Sequence, residues 1–178
     1  RFRGRRFLDS LIIASLMFPV FSTIIPVFQM LSAINVTDSP VGVILPQIAG
    51  NLSFAMVILM GYIRGLPVDL EESAFLEGCN VFQVFYKVIL PVCRPAFATV
   101  AIFSFLWSYN DLFTQLFFLR SPEKWTITRF LNEVSSQFGT DYGMMCAVVT
   151  LIFVPVMIVY VFLQKNIIKG LTAGAIKG

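Results

Sequence analysis

The chain has 178 residues, of which 57% are hydrophobic, 15% aromatic and 13% charged, with a net charge of +3 and a mean hydropathy of +0.82. A soluble domain carries about 25% charged residues, so the composition is that of a membrane protein with the lipid bilayer as its surroundings, and the small positive charge makes no case for nucleic acid. Histidine is absent, which removes the commonest general base and metal ligand, and Cys79, Cys93 and Cys146 fit neither a CxxC nor a zinc spacing; no catalytic residue, cofactor or metal site is expected, and the thiols read as free.

The sequence opens at Arg1 with no secretory signal pattern and reads as a piece of a longer protein. A bilayer core of about 30 Å takes roughly 20 apolar residues of helix. Four stretches are long enough. Ser10 to Thr37 and Ser39 to Ile63 are uncharged and give spans near 9–33 and 41–63; Pro95 to Leu119 carries only Asp111 and gives 94–118; Tyr142 to Gln164 is uncharged and gives 143–165. Runs such as MVILMGYI do not alternate as barrel strands do. The expected fold class is therefore all-α, a polytopic membrane helix bundle of four transmembrane helices over residues 1–178. Pro19 and Pro26 fall in the first span, Pro46 in the second and Pro155 in the fourth, each able to kink its helix.

Basic residues orient the spans. Arg1, Arg3, Arg5, Arg6, Arg64, Lys87, Arg94, Lys165, Lys169 and Lys177 fall on one side, against Arg120, Lys124 and Arg129 on the other. By the positive-inside rule both ends and the 64–93 loop are cytoplasmic, while 34–40 and 119–142 face outward.

The 64–93 loop contains DLEESAFLEGCNVFQVFYKVILP, Asp69 to Pro91. Asp69 with Glu72 has the spacing of a capping box, and early carboxylates suit a helix N-terminus. Gly78 is a C-cap that permits a left-handed turn. Asn80 with Gln83 repeats the capping pattern, Phe82, Phe85, Tyr86 and Ile89 follow on one helical face, and Leu90-Pro91 ends the second helix. A helix-turn-helix of this kind lies on the membrane or docks into a protein groove; its acidity, next to a negatively charged leaflet, favours the groove.

In the third span Asp111, with Asn110 beside it, is an intramembrane carboxylate and so a candidate pore or gate residue. Its place about 24 Å along the helix from Pro95 favours a helix-end or gate-region polar contact over proton coupling. Asn51 and Ser53 are further pore candidates or interhelical hydrogen-bonding groups. In the outward segment Trp125, Phe130 and Phe138 suit either a partner protein or an interfacial helix with aromatic anchors.

The Asp69–Pro91 segment resembles the "EAA" loop of ABC importer permeases. Glu72-Ser73-Ala74, Gly78, Val88 and Leu90-Pro91 fall at that motif's spacings, with Ser73 and Val88 as mild departures and Glu77 and Cys79 where the sugar branch usually has Asp and Ala. FRGRR at Phe2–Arg6, WSYND at Trp107–Asp111 and GLTAGAIKG at Gly170–Gly178 are similar to the carbohydrate, maltose-type branch, so the likeness runs along nearly the whole chain, short of that family's two N-terminal spans. The resemblance implies half of a translocation path for a sugar or related solute, paired with a second permease subunit, ATP-binding subunits inside and an extracytoplasmic solute-binding protein outside, in a bacterial or archaeal cytoplasmic membrane. It implies coupling to the ATPase through Glu71, Glu72, Ser73, Ala74, Gly78, Phe82, Phe85, Leu90 and Pro91, tail contacts from Gly174 and Lys177, and binding-protein contacts from Trp125 and Phe130. ATP hydrolysis then belongs to a partner, since no G-x-x-x-x-G-K-[ST] loop is present. An ion-gradient-driven transporter would carry more buried acids or histidines, and a membrane enzyme a convergent catalytic set; a non-transporting scaffold subunit is the remaining alternative.

Overall fold

A computed structural model describes residues 3–137 and 142–175. Arg1, Phe2, Phe138, Lys177 and Gly178, all used in the sequence reading, lie outside the described residues. Among those described the chain is helical, with no strand. In order come α1 (Arg5–Leu16), α2 (Val20–Ala33), α3 (Pro40–Arg64) and α4 (Asp69–Leu76). A short helix α5 (Val81–Gln83), a π turn (Val84–Ile89) and α6 (Leu90–Val92) then run together into α7 (Arg94–Asn110). They are followed by α8 (Leu112–Phe118), a 3-10 turn (Pro122–Lys124), α9 (Ile127–Gln137) and α10 (Tyr142–Ala175).

Helix α3 has a well-marked start. Ser39 is extended, its Oγ accepts the Gly42 N–H at 3.2 Å, and Pro40 occupies the first turn, where a missing N–H costs nothing. Gly42 is required there, because a Cβ would stand 2.4 Å from the Val36 carbonyl oxygen. Helix α3 and the Tyr142–Phe162 part of α10 are each long and apolar enough to cross a membrane unaided.

The other two candidate spans are bent. The single helix expected over 9–33 is two helices, α1 and α2, meeting at 101°. Pro19 is the extended N-cap of α2 (φ −70°, ψ 121°); a proline has no N–H to donate and pushes the residue before it out of helical geometry. Pro26, Pro46 and Pro155 by contrast remain inside their helices. The helix expected over 94–118 ends at Asn110 and restarts at Leu112, and its near end meets the Val81–Val92 segment at 64°.

Helix α7 is the central element, packed against α3 and α10, while α1 packs on α3. Two small buried clusters sit at opposite ends of α3. One joins Leu31, Val43, Phe118 and Leu119; the other joins Ala74, Val84, Ile89 and Cys93. Between them, about 36 Å of helix separates the two ends. At the Arg64 end Asp9 bridges Arg64 at 2.5 Å and Arg5 at 3.8 Å, which brings residues 5–9 and 64 together. The segments 34–39 and 119–124 meet at the other end. Much of α10 and α3 presents exposed aliphatic side chains, a surface suited to lipid or to neighbouring membrane helices.

Candidate functional site

The loop at the Arg64 end is built from local hydrogen bonds. Helix α4 begins one residue earlier than expected: Val68 is helical, and its carbonyl accepts from Glu71 and Glu72, while Pro67's accepts from Leu70. Asp69 is thus inside the helix rather than its N-cap, because the amides it would have capped are already paired. Asp69, Glu71 and Glu72 remain in the first turn, where carboxylates suit the positive end of the dipole. At the far end Gly78 has φ +84°. Its N–H reaches the Phe75 carbonyl at 3.0 Å and that of Cys79 the Ala74 carbonyl at 3.0 Å, which is a full Schellman turn. Asn80 and Gln83 then form the expected capping box, each side chain accepting the other's N–H at 2.9 Å.

Downstream the sequence reading needs two corrections. Leu90-Pro91 does not end the helix; both lie in α6, and the turn comes at Cys93. The reason is the π turn over Val84–Ile89, whose wider i→i+5 ladder precedes a proline that has no N–H to give. That turn also breaks the stripe Phe82, Phe85, Tyr86, Ile89. An extra residue per turn rotates Ile89 onto the buried side with Ala74, Val84 and Cys93, while the aromatics stay outside. Phe82 is 77% exposed, and Leu76 beside the Gly78 turn 90%. Glu71, Glu72 and Ser73 are exposed and Ala74 is buried. The loop thus carries an acidic, aromatic outer face on a welded inner one, tied to α3 by the Tyr62 hydroxyl donating to the Val92 carbonyl at 3.2 Å. Gly174 lies within α10.

The second constellation surrounds the α7–α8 break. Breaking a helix leaves carbonyls and amides that need partners. Asp111 caps α8 by accepting the Thr114 N–H at 3.0 Å, and Gln47 of α3 donates to its other oxygen at 3.0 Å. Ser108 donates to the Gln47 side-chain oxygen at 2.6 Å. Side chains also reach the carbonyls at the end of α7: Asn110 donates to Leu106 at 2.7 Å, Gln115 to Ser108 at 3.5 Å beside the Asp111 amide at 3.4 Å, and Thr128 to Tyr109 at 2.8 Å. Asp111 thus stands at the start of α8 as its cap, tied to α3 through Gln47.

A cavity of about 830 Å³ opens beside this break, between α1, α2, α3, α7 and α8. All four sequence-derived pore candidates, Asn51, Ser53, Asn110 and Asp111, line it. Asn51 donates to the Gln47 carbonyl at 2.9 Å, and Ser53 meets Ser15 of α1 at 2.5 Å, so each also binds helix to helix or to itself. Phe54 and Trp107 form an aromatic wall, with centroids 4.5 Å apart. Gln47, Ser108 and Gln115 are not among the sequence-derived candidates; an uncharged polar side chain in an apolar run is the signal that points to them.

At the far end of α3, Asp38 is a second residue that the sequence pattern does not single out. Its backbone is left-handed (φ 56°), a conformation short polar side chains tolerate. Its carboxylate accepts the amides of Arg120 and Ser121 at 2.8 and 3.0 Å, the Ser121 hydroxyl at 2.5 Å and the Lys124 ammonium at 3.0 Å. The Ser121 hydroxyl and amide, then Lys124, hold this carboxyl far below the ordinary carboxylate range. The loop before α3 is thereby clamped to the segment leading into α9. Trp125 packs against the Leu31–Phe118 cluster beneath the Arg129 guanidinium, 4.3 Å from its ring, whereas Phe130 is exposed.

The described residues form a bundle of long and bent apolar helices with a compact loop at one end. A solved structure with the same fold is that of a bacterial ABC transporter involved in the import of the acidic polysaccharide alginate. It matches with a TM-score of 0.74 and 23% identity over 93% of this chain and 62% of that one. The chain belongs to the family of binding-protein-dependent transport system inner membrane components, whose model matches residues 1–173. It is thus a multi-pass membrane protein of a transport family, not of an enzyme family.

Similar proteins include the arabinooligosaccharides transport system permease protein AraQ of Bacillus subtilis, 34% identical over 99% of this chain and 62% of that protein. The galactooligosaccharides permease protein GanQ of the same organism is 34% identical over 100% and 63%. The diacetylchitobiose uptake permease protein NgcG of Streptomyces coelicolor is 33% identical over 99% and 59%. The chain spans less than two thirds of the length of these curated relatives.

Proposed function

We propose that this chain supplies part of the permease subunit of an ATP-driven importer for a sugar or related solute. In this reading it forms one half of the translocation path beside a second permease subunit. The α1–α2, α3, α7–α8 and α10 segments provide four spans near 9–33, 41–63, 94–118 and 143–165, and the Arg64 end faces the cytoplasm. The 69–91 loop docks on an ATP-binding subunit through Glu71, Glu72, Ser73, Phe82 and Phe85. Ala74, Gly78, Leu90 and Pro91 hold its shape, and the tail from Gly174 through Lys177 contributes further contacts to the same subunits. The opposite end, with Phe130 and Trp125, receives a solute-binding protein. Asn51, Ser53, Asn110 and Asp111 belong to the path or its gate.

The observation that carries this is the two-sidedness of the loop. Its inner side is fixed by a Schellman turn, a capping box and the Ala74–Val84–Ile89–Cys93 cluster. Its outer side leaves carboxylates and large aromatics uncovered on one rigid unit, the form of a helix that enters a basic, apolar groove. A rigid unit transmits displacement, so closure of an ATPase pair would turn the permease halves. The test is ATPase activity of the complete complex in liposomes, Glu72→Lys against wild type, with co-purification of every subunit measured. Release of the ATP-binding subunit, or hydrolysis that no longer responds to loaded binding protein, is the expected result. Unchanged assembly, stimulation and uptake would remove Glu72 from the coupling surface.

A further inference from the structure

We propose that α9 sets the conformation of the intramembrane α7–α8 break through the hydroxyls of Thr126 and Thr128, making the two threonines and Gln115 positioning residues for opening and closing the cavity. The inference rests on the importer reading and gives its regulation. Both hydroxyls come from the start of α9 and both end on the break. Thr128 donates to the Tyr109 carbonyl at 2.8 Å, one of those the break leaves without a helical amide. Thr126 donates to the side-chain oxygen of Gln115, a residue only 3% exposed. The Gln115 amide continues to the Ser108 carbonyl at 3.5 Å, and Ser108 through Gln47 to Asp111 at 2.6 and 3.0 Å. Tyr109 in turn donates to the Ile152 carbonyl of α10 at 3.1 Å, so the joint touches α3, α7, α8 and α10 together.

The same turn holds two further polar groups. The Trp125 Nε1 and Arg129 Nε donors, within the same turn as the threonines, are buried without a partner. Arg129 is committed elsewhere, over the Trp125 ring at 4.3 Å and to Glu133 at 3.0 Å. Buried donors are nearly always paired, and in this proposal the second state is a placement of α9 in which these two find an acceptor. A shift that gives those donors an acceptor draws the threonine hydroxyls away from the break. The carbonyl of Tyr109 then needs a new partner, and the cavity wall at Asp111 rearranges. Helix α9 lies at the end where the binding protein is proposed to dock, which makes docking the event that biases the two positions.

The experiment uses the complete complex in nanodiscs with a reporter, Ala49→Cys, on the cavity wall. A small methanethiosulfonate reagent measures its modification rate at rest and after trapping with ATP and vanadate, counted against the chain without the reporter. With the threonines intact the two rates differ. In Thr126→Val/Thr128→Val the contrast falls about tenfold, the size of one net hydrogen bond that no longer differs between two arrangements, while basal ATP hydrolysis is kept. Thr126→Ser/Thr128→Ser, which restores the hydroxyls, restores the contrast. If the double valine chain fails to assemble, Thr128→Val alone carries the same test. A valine chain with the parent contrast overturns the joint and leaves the importer reading standing. A serine pair as damaged as the valine pair also overturns it, since the threonines are then packing groups. A parent complex with no contrast overturns the importer reading and the joint with it.

Discussion

A carboxylate in an apolar run has two explanations, a helix cap and a charge used in transport, and a pair of substitutions at Asp111 distinguishes them. Asp111→Ala removes the acceptor of the Thr114 N–H and of the Gln47 amide. The lost cap costs about 1 kcal/mol and the stranded, half-buried Gln47 donor about 1–3 kcal/mol. Together these lower the melting temperature by about 4–16 °C for a chain of this size. Asp111→Asn keeps one oxygen for the Thr114 amide, and asparagine caps helices as well as aspartate does. Its amide nitrogen then faces Gln47, whose side chain turns over so that its oxygen accepts from Asn and its nitrogen donates to the Ser108 hydroxyl. The expected cost is within about 1 kcal/mol. Thermal unfolding of the purified complex measures the first quantity and binding-protein-stimulated ATP hydrolysis the second. An Asn chain as unstable as the Ala chain would refute the capping argument. An Asn chain of parent stability that no longer responds to the binding protein would show that the charge itself takes part in transport.

Two further outcomes follow from the α3 terminus. Gly42→Ala places a methyl 2.4 Å from a backbone oxygen, whereas a Cβ at Gly61, farther along the same helix, meets nothing within 4 Å. The first costs about 1–3 kcal/mol by overpacking and the second is neutral or gains up to about 1 kcal/mol; equal melting temperatures for the two would refute the reading. At Asp38 the folded carboxyl titrates below its unfolded value of 3.8, so its contribution is complete above that value and is lost as the pH falls toward the folded one. The stability difference between wild type and Asp38→Asn is expected to be flat from about pH 8 to 5 and to shrink below about pH 4. Thermal unfolding across that range measures it, and a difference that grows on acidification would reverse the sign.

Features set by composition or by a few consecutive residues are legible in the amino-acid sequence itself. Long uncharged runs announce membrane helices, because a charge in lipid is costly and a backbone without water must pair with itself. The Gly78 turn and the Asn80–Gln83 box are readable for a related reason, since every hydrogen bond in them closes within five residues. The acidic and aromatic content of the loop is visible too, but not how its stripe divides. A π turn changes the phase of a helix without changing its composition, and it moves Ile89 inward while leaving Phe82 outside.

What the tertiary structure alone decided are the contacts between residues far apart in the chain. In the sequence Asp111 is a lone acid in an apolar run; its partner Gln47 is 64 positions away, and the Tyr109 carbonyl beside it is met by Thr128 from another helix. Asp38 reads as an ordinary turn residue, yet its clamp closes over 82 to 86 positions. Hydrophobicity and capping patterns are properties of a segment, so one segment suffices to read them. The pairing of a polar group inside a membrane is settled by whichever neighbouring helix brings a donor within reach, and that choice is made only when the helices pack.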